Sequence, residues 1–233
     1  MARITRRELK TDKFALEVGQ TVSFFEEHQK DLIRYGGIAA GVVVLILAYG
    51  VYSRHQQTAR QEVLAQAISL QEAPIGPPSP AGSPTFPTQQ AKDAATTKAF
   101  SDLVAKFPGS AEAEIGQYYL GAIKADEGDM AGAEKLLQET AQKGDAKYAS
   151  LAKLSLAQLY FGTGKDAEGE AILRDLMAHP TLFVSKDQAA ITLARFLMAK
   201  RPADARKLLD PIKLQVGPVG ELALRLSGEI PAQ

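Results

Sequence analysis

Histidine is the side chain best suited to general acid–base work or metal ligation near neutral pH. The chain has three, His28, His55 and His179, in separate segments and with no metal-ligand spacing between them. Ser150-Leu151-Ala152-Lys153 has the Ser-x-x-Lys spacing in which a lysine amine can activate a serine hydroxyl. The companion motifs of that chemistry are missing, and the tetrad falls within a helical pattern. Gly162-Thr163-Gly164-Lys165-Asp166 ends a glycine run on lysine, yet it lacks the spacing glycine and the following Ser or Thr of a phosphate loop. Asp126, Glu127 and Asp129 cluster three acids, without the distal Glu and further oxygen ligands of a calcium loop. With no cysteine in the chain, disulfides, thiolate metal sites, a Cys nucleophile and an N-terminal lipoprotein Cys are all excluded. The residues therefore predict no catalytic site, no cofactor, no metal and no enzyme. Zero formal net charge gives no reason to expect nucleic acid as a partner.

The elements around these residues read as helices. Alanine and leucine dominate the C-terminal half, which favours helix over strand. From Thr96 onward, apolar periodic segments alternate with Gly, Pro or Asp signals. Phe107-Pro108-Gly109-Ser110 closes one helix, and Ser110 with Glu112 and Glu114 opens the next. Ser185-Lys186-Asp187-Gln188 has the spacing of a capping box. Val216 to Gly220 separates a last short helix over 221–228.

Two of these segments align at a spacing of thirty-six residues, 119–141 and 155–177. Leu120 matches Leu156, Gly121 matches Ala157, Gly128 matches Gly164, Ala133 matches Gly169 and Leu137 matches Leu173. A third copy over 192–212 aligns Leu193, Ala194, Ala205 and Leu209 after a one-residue gap, and 99–110 carries a partial copy. A repeat of this length is a stack of helical hairpins. Small residues mark helix crossings, the turn glycines join the helices, and the matched leucines fill the space between hairpins.

The N-terminal part has another character. Nineteen residues from Tyr35 to Ser53 carry no charge, with tyrosines at both ends and Arg34 and Arg54 flanking. As a helix the run reaches roughly 28 Å, close to the hydrocarbon thickness of a bilayer. Three readings follow: a retained anchor, a buried core helix, disfavoured by so long a run without a polar face, and a cleaved secretion signal, since Ala48-Tyr49-Gly50 has small residues at signal-peptidase spacing. Thirty-four residues, six of them acidic, precede the run, which favours the anchor. Seven Lys and Arg in residues 1–34, against Arg54 and Arg60 just after the run, place the N-terminus in the cytoplasm. Gly37 and Gly41 form a Gly-x-x-x-Gly pair inside the run. Phe14, Val18, Val22, Phe25 and Leu32 make a helical apolar stripe ahead of it, fit to lie on the membrane or to dock a protein. Six of the twelve prolines fall in 73–90, which reads as an extended linker or long loop. The expected organisation is a basic tail and amphipathic helix (1–34), a transmembrane helix (35–53), a helical stalk (54–72), a Pro-rich linker or loop (73–95) and a helical-repeat domain (96–233). The fold class is all-α, a single membrane helix followed by a hairpin solenoid.

The repeat resembles the tetratricopeptide repeat, which has a Leu-Gly pair, a turn Gly and an Ala in this order. Leucine stands at most of its usual aromatic positions here, and its usual Trp is missing. With the basic tail over residues 4–14 and one anchor, the whole chain resembles the bacterial ancillary SecYEG translocon subunit family, whose repeat domain is similar to that of the cell division coordinator proteins. The resemblance implies a single-pass inner-membrane protein with a periplasmic repeat domain. Its partners would be translocon subunits, periplasmic chaperones or exported clients, and its lipid contact residues 35–53. An envelope-assembly or cell-division adaptor is the alternative, and an unrecognised hydrolase a third class. In a tetratricopeptide stack the first helices of successive hairpins line a concave groove. That register assigns Tyr118, Ala122 and Asp126 to a protein-binding face from one copy, Gln158 and Phe161 from the next, and Arg195 and Met198 from the third. For Phe161 and Met198 a place in the core is the competing reading.

Overall fold

The computed structural model describes residues 29–77 and 84–231. The basic tail and most of the amphipathic stripe lie outside the described residues, as does the centre of the proline-rich segment. Among the described residues there are nine helices, no strand and one isolated β-bridge. The chain divides into two compact units, Met1–Thr58 and Ala59–Gln233.

In the first unit the uncharged run is helical, within α1 (Gln29–Glu72). Every large apolar side chain from Tyr35 to Tyr52 is at least 49% exposed, so this stretch is not the buried helix of a folded core. It is long and apolar enough to cross a membrane.

The second unit begins with the last turns of α1. Residues 59–72, the larger part of the stalk expected over 54–72, belong to this unit's packing. Ala67 is fully buried, and Val63, Leu64 and Ile68 pack with it against Phe100, Leu103, Leu120 and Ile123. The next helix, α2 (Gln89–Lys106), starts earlier than Thr96 because Thr88 caps it, its hydroxyl accepting from the Ala91 N–H at 3.1 Å. The proline-rich segment between α1 and α2 has its two ends bonded together. Gly76 N–H donates to Phe86 C=O at 2.9 Å, and Phe86 N–H to Pro74 C=O at 3.1 Å. Prolines lack an N–H donor, but Gly76 and Phe86 do not, and this pair of bonds closes the loop.

Three further pairs follow: α3 (Ala111–Asp126) with α4 (Met130–Lys143), α5 (Ala146–Gly162) with α6 (Asp166–Ala178), and α7 (Lys186–Leu197) with α8 (Pro202–Leu209). A final helix, α9 (Pro218–Glu229), covers the end of the stack and starts at the proline rather than at residue 221, since Pro is favoured at the first helical position. Ser110, Asp129, Asp145 and Ser185 cap α3, α4, α5 and α7 with their side-chain oxygens. Gly128 and Gly164, at φ of +84° and +80°, turn the second and third pairs, a conformation that costs residues with a Cβ.

The matched residues of the repeat occupy equivalent places in the packing. Ala133, Ala157, Ala194 and Ala205 have no exposed surface, and Leu137, Leu173 and Leu209 are buried. A Cβ on Gly121 would lie 2.9 Å from Leu137 Cγ, so only glycine lets α3 and α4 approach this closely. The core is a row of three apolar clusters shared between neighbouring pairs rather than one central mass.

Candidate functional site

Helices α3 and α5 are first helices of successive pairs, and a hollow of about 310 Å³ opens where they meet the start of α4. Ala122, Ala125 and Asp126 line it from α3, Met130 and Leu137 from α4, and Ser155, Gln158, Leu159 and Gly162 from α5. Small residues at 122, 125 and 162 leave the space open. Leu137 and Leu159 make an apolar floor, while Asp126, Ser155 and Gln158 put polar groups at the wall. Such a hollow suits one side chain or turn of a partner segment, held by apolar contact and oriented by two or three polar groups.

Three of the seven expected face residues, Ala122, Asp126 and Gln158, come together here. The others sit elsewhere. Tyr118, one turn before Ala122, is half-buried, its ring edge-on to Tyr119 at 5.5 Å and to Tyr148 at 6.0 Å. Phe161 stacks on Phe196 of α7, centroids 4.0 Å apart and planes within 10°. Its ring also lies over Gly169 of α6, where an added Cβ would come within 2.9 Å of it. Met198 is half-buried against the same cluster, and Arg195 is exposed in the last turn of α7.

The repeat register explains this division. Ala122, Gln158 and Arg195 are equivalent positions one repeat apart, and exposure increases along that row from half-buried to exposed. Ala125, Phe161 and Met198 form the neighbouring row, and all three are half-buried. The two rows are three residues apart on the first helices, about 60° around the axis, so they lie side by side, with Ala122, Ala125 and Gln158 at the hollow and Phe161 and Met198 against the core.

Ion pairs join neighbouring helices both within a pair and between successive pairs. Glu134 of α4 accepts both from Lys165 Nζ, at 2.8 Å to each carboxylate oxygen, and from Tyr160 Oη at 3.1 Å. The hydrogen bond from Lys165 holds the Glu134 carboxyl below its ordinary range and raises Lys165 in return. Thirty-six residues on, Glu170 of α6 meets Arg201, with Arg174 alongside. Burial pushes the Glu170 carboxyl upward, but the two guanidinium partners outweigh it and the net shift is downward. Lys153 of α5 donates to Asp175 of α6 at 2.7 Å and lowers that carboxyl, with His179 assisting. At the next equivalent position Arg206 replaces the acid and donates to the Ile230 and Pro231 carbonyls, ending the series at the last helix. Sequence reading missed these pairs, although Glu134 and Glu170, and Lys165 and Arg201, each recur at the thirty-six-residue spacing. It also missed an aromatic row, Phe100–Tyr119–Tyr118–Tyr148–Phe183, that runs between pairs. No single helix shows that row, because each contributes one or two rings.

The motifs with formal catalytic spacing have structural partners. Ser150 Oγ is buried and bonds Thr181 Oγ1 at 2.7 Å, while Lys153 is engaged by Asp175. Gly164 and Lys165 make the α5–α6 turn, and the acids at 126–129 make the α3–α4 turn, where Asp129 caps α4 and Lys124 pairs with Glu127. Among the described residues no cluster of three or more His, Asp or Glu side chains could hold a metal ion.

No curated protein and no solved structure matches the chain. A family model described as a tetratricopeptide repeat-like domain matches residues 23–180, which is more than half of the chain and takes in the long apolar helix and the first three helix pairs of the second unit. Paired helices at a thirty-six-residue period, glycine turns and small residues at the crossings agree with that match, and the chain belongs to the tetratricopeptide repeat-like domain family.

Proposed function

We propose that this protein is a membrane-anchored interaction scaffold whose repeat domain binds an extended segment or helix of a partner protein. The observation that carries the reading is the hollow between α3 and α5, with its apolar floor and the polar groups of Asp126, Ser155 and Gln158 at its wall. Repeat domains of this family generally mediate protein–protein contact. The row Ala122–Gln158–Arg195 extends the hollow toward α7, where the Arg195 guanidinium can hold a partner's carboxylate or carbonyl. A short groove of this kind gives weak to moderate affinity, suited to a client that must be released.

The apolar helix anchors the domain, with the N-terminus cytoplasmic by the excess of Lys and Arg before the span and the repeat domain on the far side of a bacterial inner membrane. In that position the scaffold assists the translocon or the biogenesis of envelope proteins, and the partners are translocon subunits, periplasmic chaperones or exported clients. An adaptor in envelope assembly or division is the alternative, and it shares the same groove.

A photo-crosslinking residue at Gln158, introduced into the full chain in its native membrane, tests both levels. Crosslinks to translocon subunits or to chains in export support the first reading, and crosslinks to division or envelope-assembly proteins the alternative. Crosslinks no more frequent than from a probe at the exposed Lys207 would remove the groove reading.

A further inference from the structure

The second unit carries large apolar side chains that its own core does not cover. Leu182 is 82% exposed, Leu214 80% and Val216 104%, and Phe183 beside them is 39% exposed. They belong to two loops, 179–185 before α7 and 210–217 before α9. Gln215 Nε2 donates to Asp187 Oδ2 at 3.0 Å and brings the second loop to the start of α7.

A series of contacts places these tips on the rim of the unit where the chain enters it. The unit begins at Ala59, and Arg60 Nε lies 3.1 Å from Glu112 Oε2 in the first turn of α3. Glu114 in that turn accepts from the Asp145 N–H at 3.2 Å, at the start of α5. Tyr148 in the next turn meets Phe183 edge-on at 5.5 Å, and Ser150 bonds Thr181. The starts of α3, α5 and α7 thus share one rim with Ala59, and the uncovered leucines and valine stand on it.

We propose that Leu182, Phe183, Leu214 and Val216 form a lipid contact that inserts into the bilayer interface. The proposal rests on the anchored reading above. Only Arg54–Thr58 separate the uncharged run from Ala59, and as a helix these residues span roughly 8 Å. Connectivity, and not any packing between the two units, keeps Ala59, the residue that opens this rim, close to the headgroups. Aliphatic tips beside an aromatic ring suit the apolar side of the interface. The charges nearby are balanced rather than polybasic. Lys147 stands with Asp145, Lys186 with Asp187 and Lys213 with Asp210, which accepts from it at 2.6 Å. Insertion is therefore driven by apolar burial and needs no anionic lipid.

The chain has no cysteine, so single labels are straightforward. Leu182→Cys, Val216→Cys, Leu45→Cys in the span and Ala199→Cys on the exposed α7–α8 turn would each carry a polarity-sensitive dye. The full chain is reconstituted in phosphatidylcholine vesicles with and without lipids bearing a nitroxide near the top of the acyl chain, for 182, 216 and 199, or near its end, for 45, and helicity is checked for each variant. Blue-shifted emission and loss of emission to the nitroxide are expected at 182, 216 and 45, and not at 199. Quenching at 45 with none at 182 and 216 beyond that at 199 overturns the lipid contact alone, and the rim then belongs to a protein partner. No quenching at 45 overturns the anchored reading, and the lipid contact with it.

Discussion

Phe161 and Gln158, three residues apart on α5, show how small a rotation about the helix axis separates a packed residue from one at the hollow. Phe161 is clamped between Phe196 and the bare backbone of Gly169, whereas Gln158 is exposed at the wall of the hollow. Truncating a half-buried aromatic of this kind costs about 2–4 kcal/mol. Phe161→Ala should therefore lower the urea midpoint and the Tm clearly. Gln158→Glu combined with Arg195→Glu should leave both nearly unchanged while reducing partner crosslinking. Equal melting of Phe161→Ala and wild type would show the stacking to be dispensable. Ala157 has no exposed surface and sits at the crossing of α5 with its neighbours, so Ala157→Leu overpacks a filled contact at a cost of about 1–3 kcal/mol. An unchanged denaturation midpoint for that variant contradicts the register of the repeat.

Between elements, the recurring device is an acid on a second helix paired with a base at the turn of the next pair, Glu134 with Lys165 and Glu170 with Arg201. Solvent screens partly exposed pairs of this type, so they tune the stack rather than create it. Their effect on pH dependence has a definite sign. The Glu134, Glu170 and Asp175 carboxyls are all held below their ordinary range in the folded chain, so the unfolded chain binds protons more readily. The stability they contribute is complete above the unfolded carboxylate values of about 4 and is lost as pH falls below them. Urea unfolding at pH 7 and pH 3 should show lower stability at pH 3, and Glu170→Gln should narrow that difference. A difference as wide in the variant as in wild type would mean that other carboxylates carry the acid sensitivity.

At the scale of the molecule, the apolar helix and the repeat unit obey different rules. The repeat unit buries its leucines and alanines between neighbouring helix pairs, while the run from Tyr35 to Tyr52 exposes every large side chain it has. In water about 25 cal/mol per Å² of exposed apolar surface opposes such an arrangement, and a bilayer removes that opposition. The excess of Lys and Arg before the run sets the expected orientation. Protease added to spheroplasts should digest the chain beyond residue 55 and spare the N-terminal tail. Full protection of the repeat unit would reverse the topology, and a mature chain starting near Val51 would show the run to be a cleaved signal.

Helix existence, helix starts at Ser110 and Ser185, turns at Gly128 and Gly164 and the apolar run were all legible in the amino-acid order. Each depends on residues within a few positions of one another, through capping, backbone freedom or periodicity. The thirty-six-residue match also identified Ala157, Ala194 and Ala205 as crossing residues, because steric demands at helix contacts recur with the repeat. Only the tertiary structure decided which side of each first helix is open. Phe161 and Gln158 are both compatible with an exposed face until α6 and α7 arrive, and only then does Phe196 cover one and leave the other. It also joined residues 59–72 to the repeat unit and closed the proline-rich loop through Gly76 and Phe86. Those contacts link segments too far apart in sequence for local periodicity to register them.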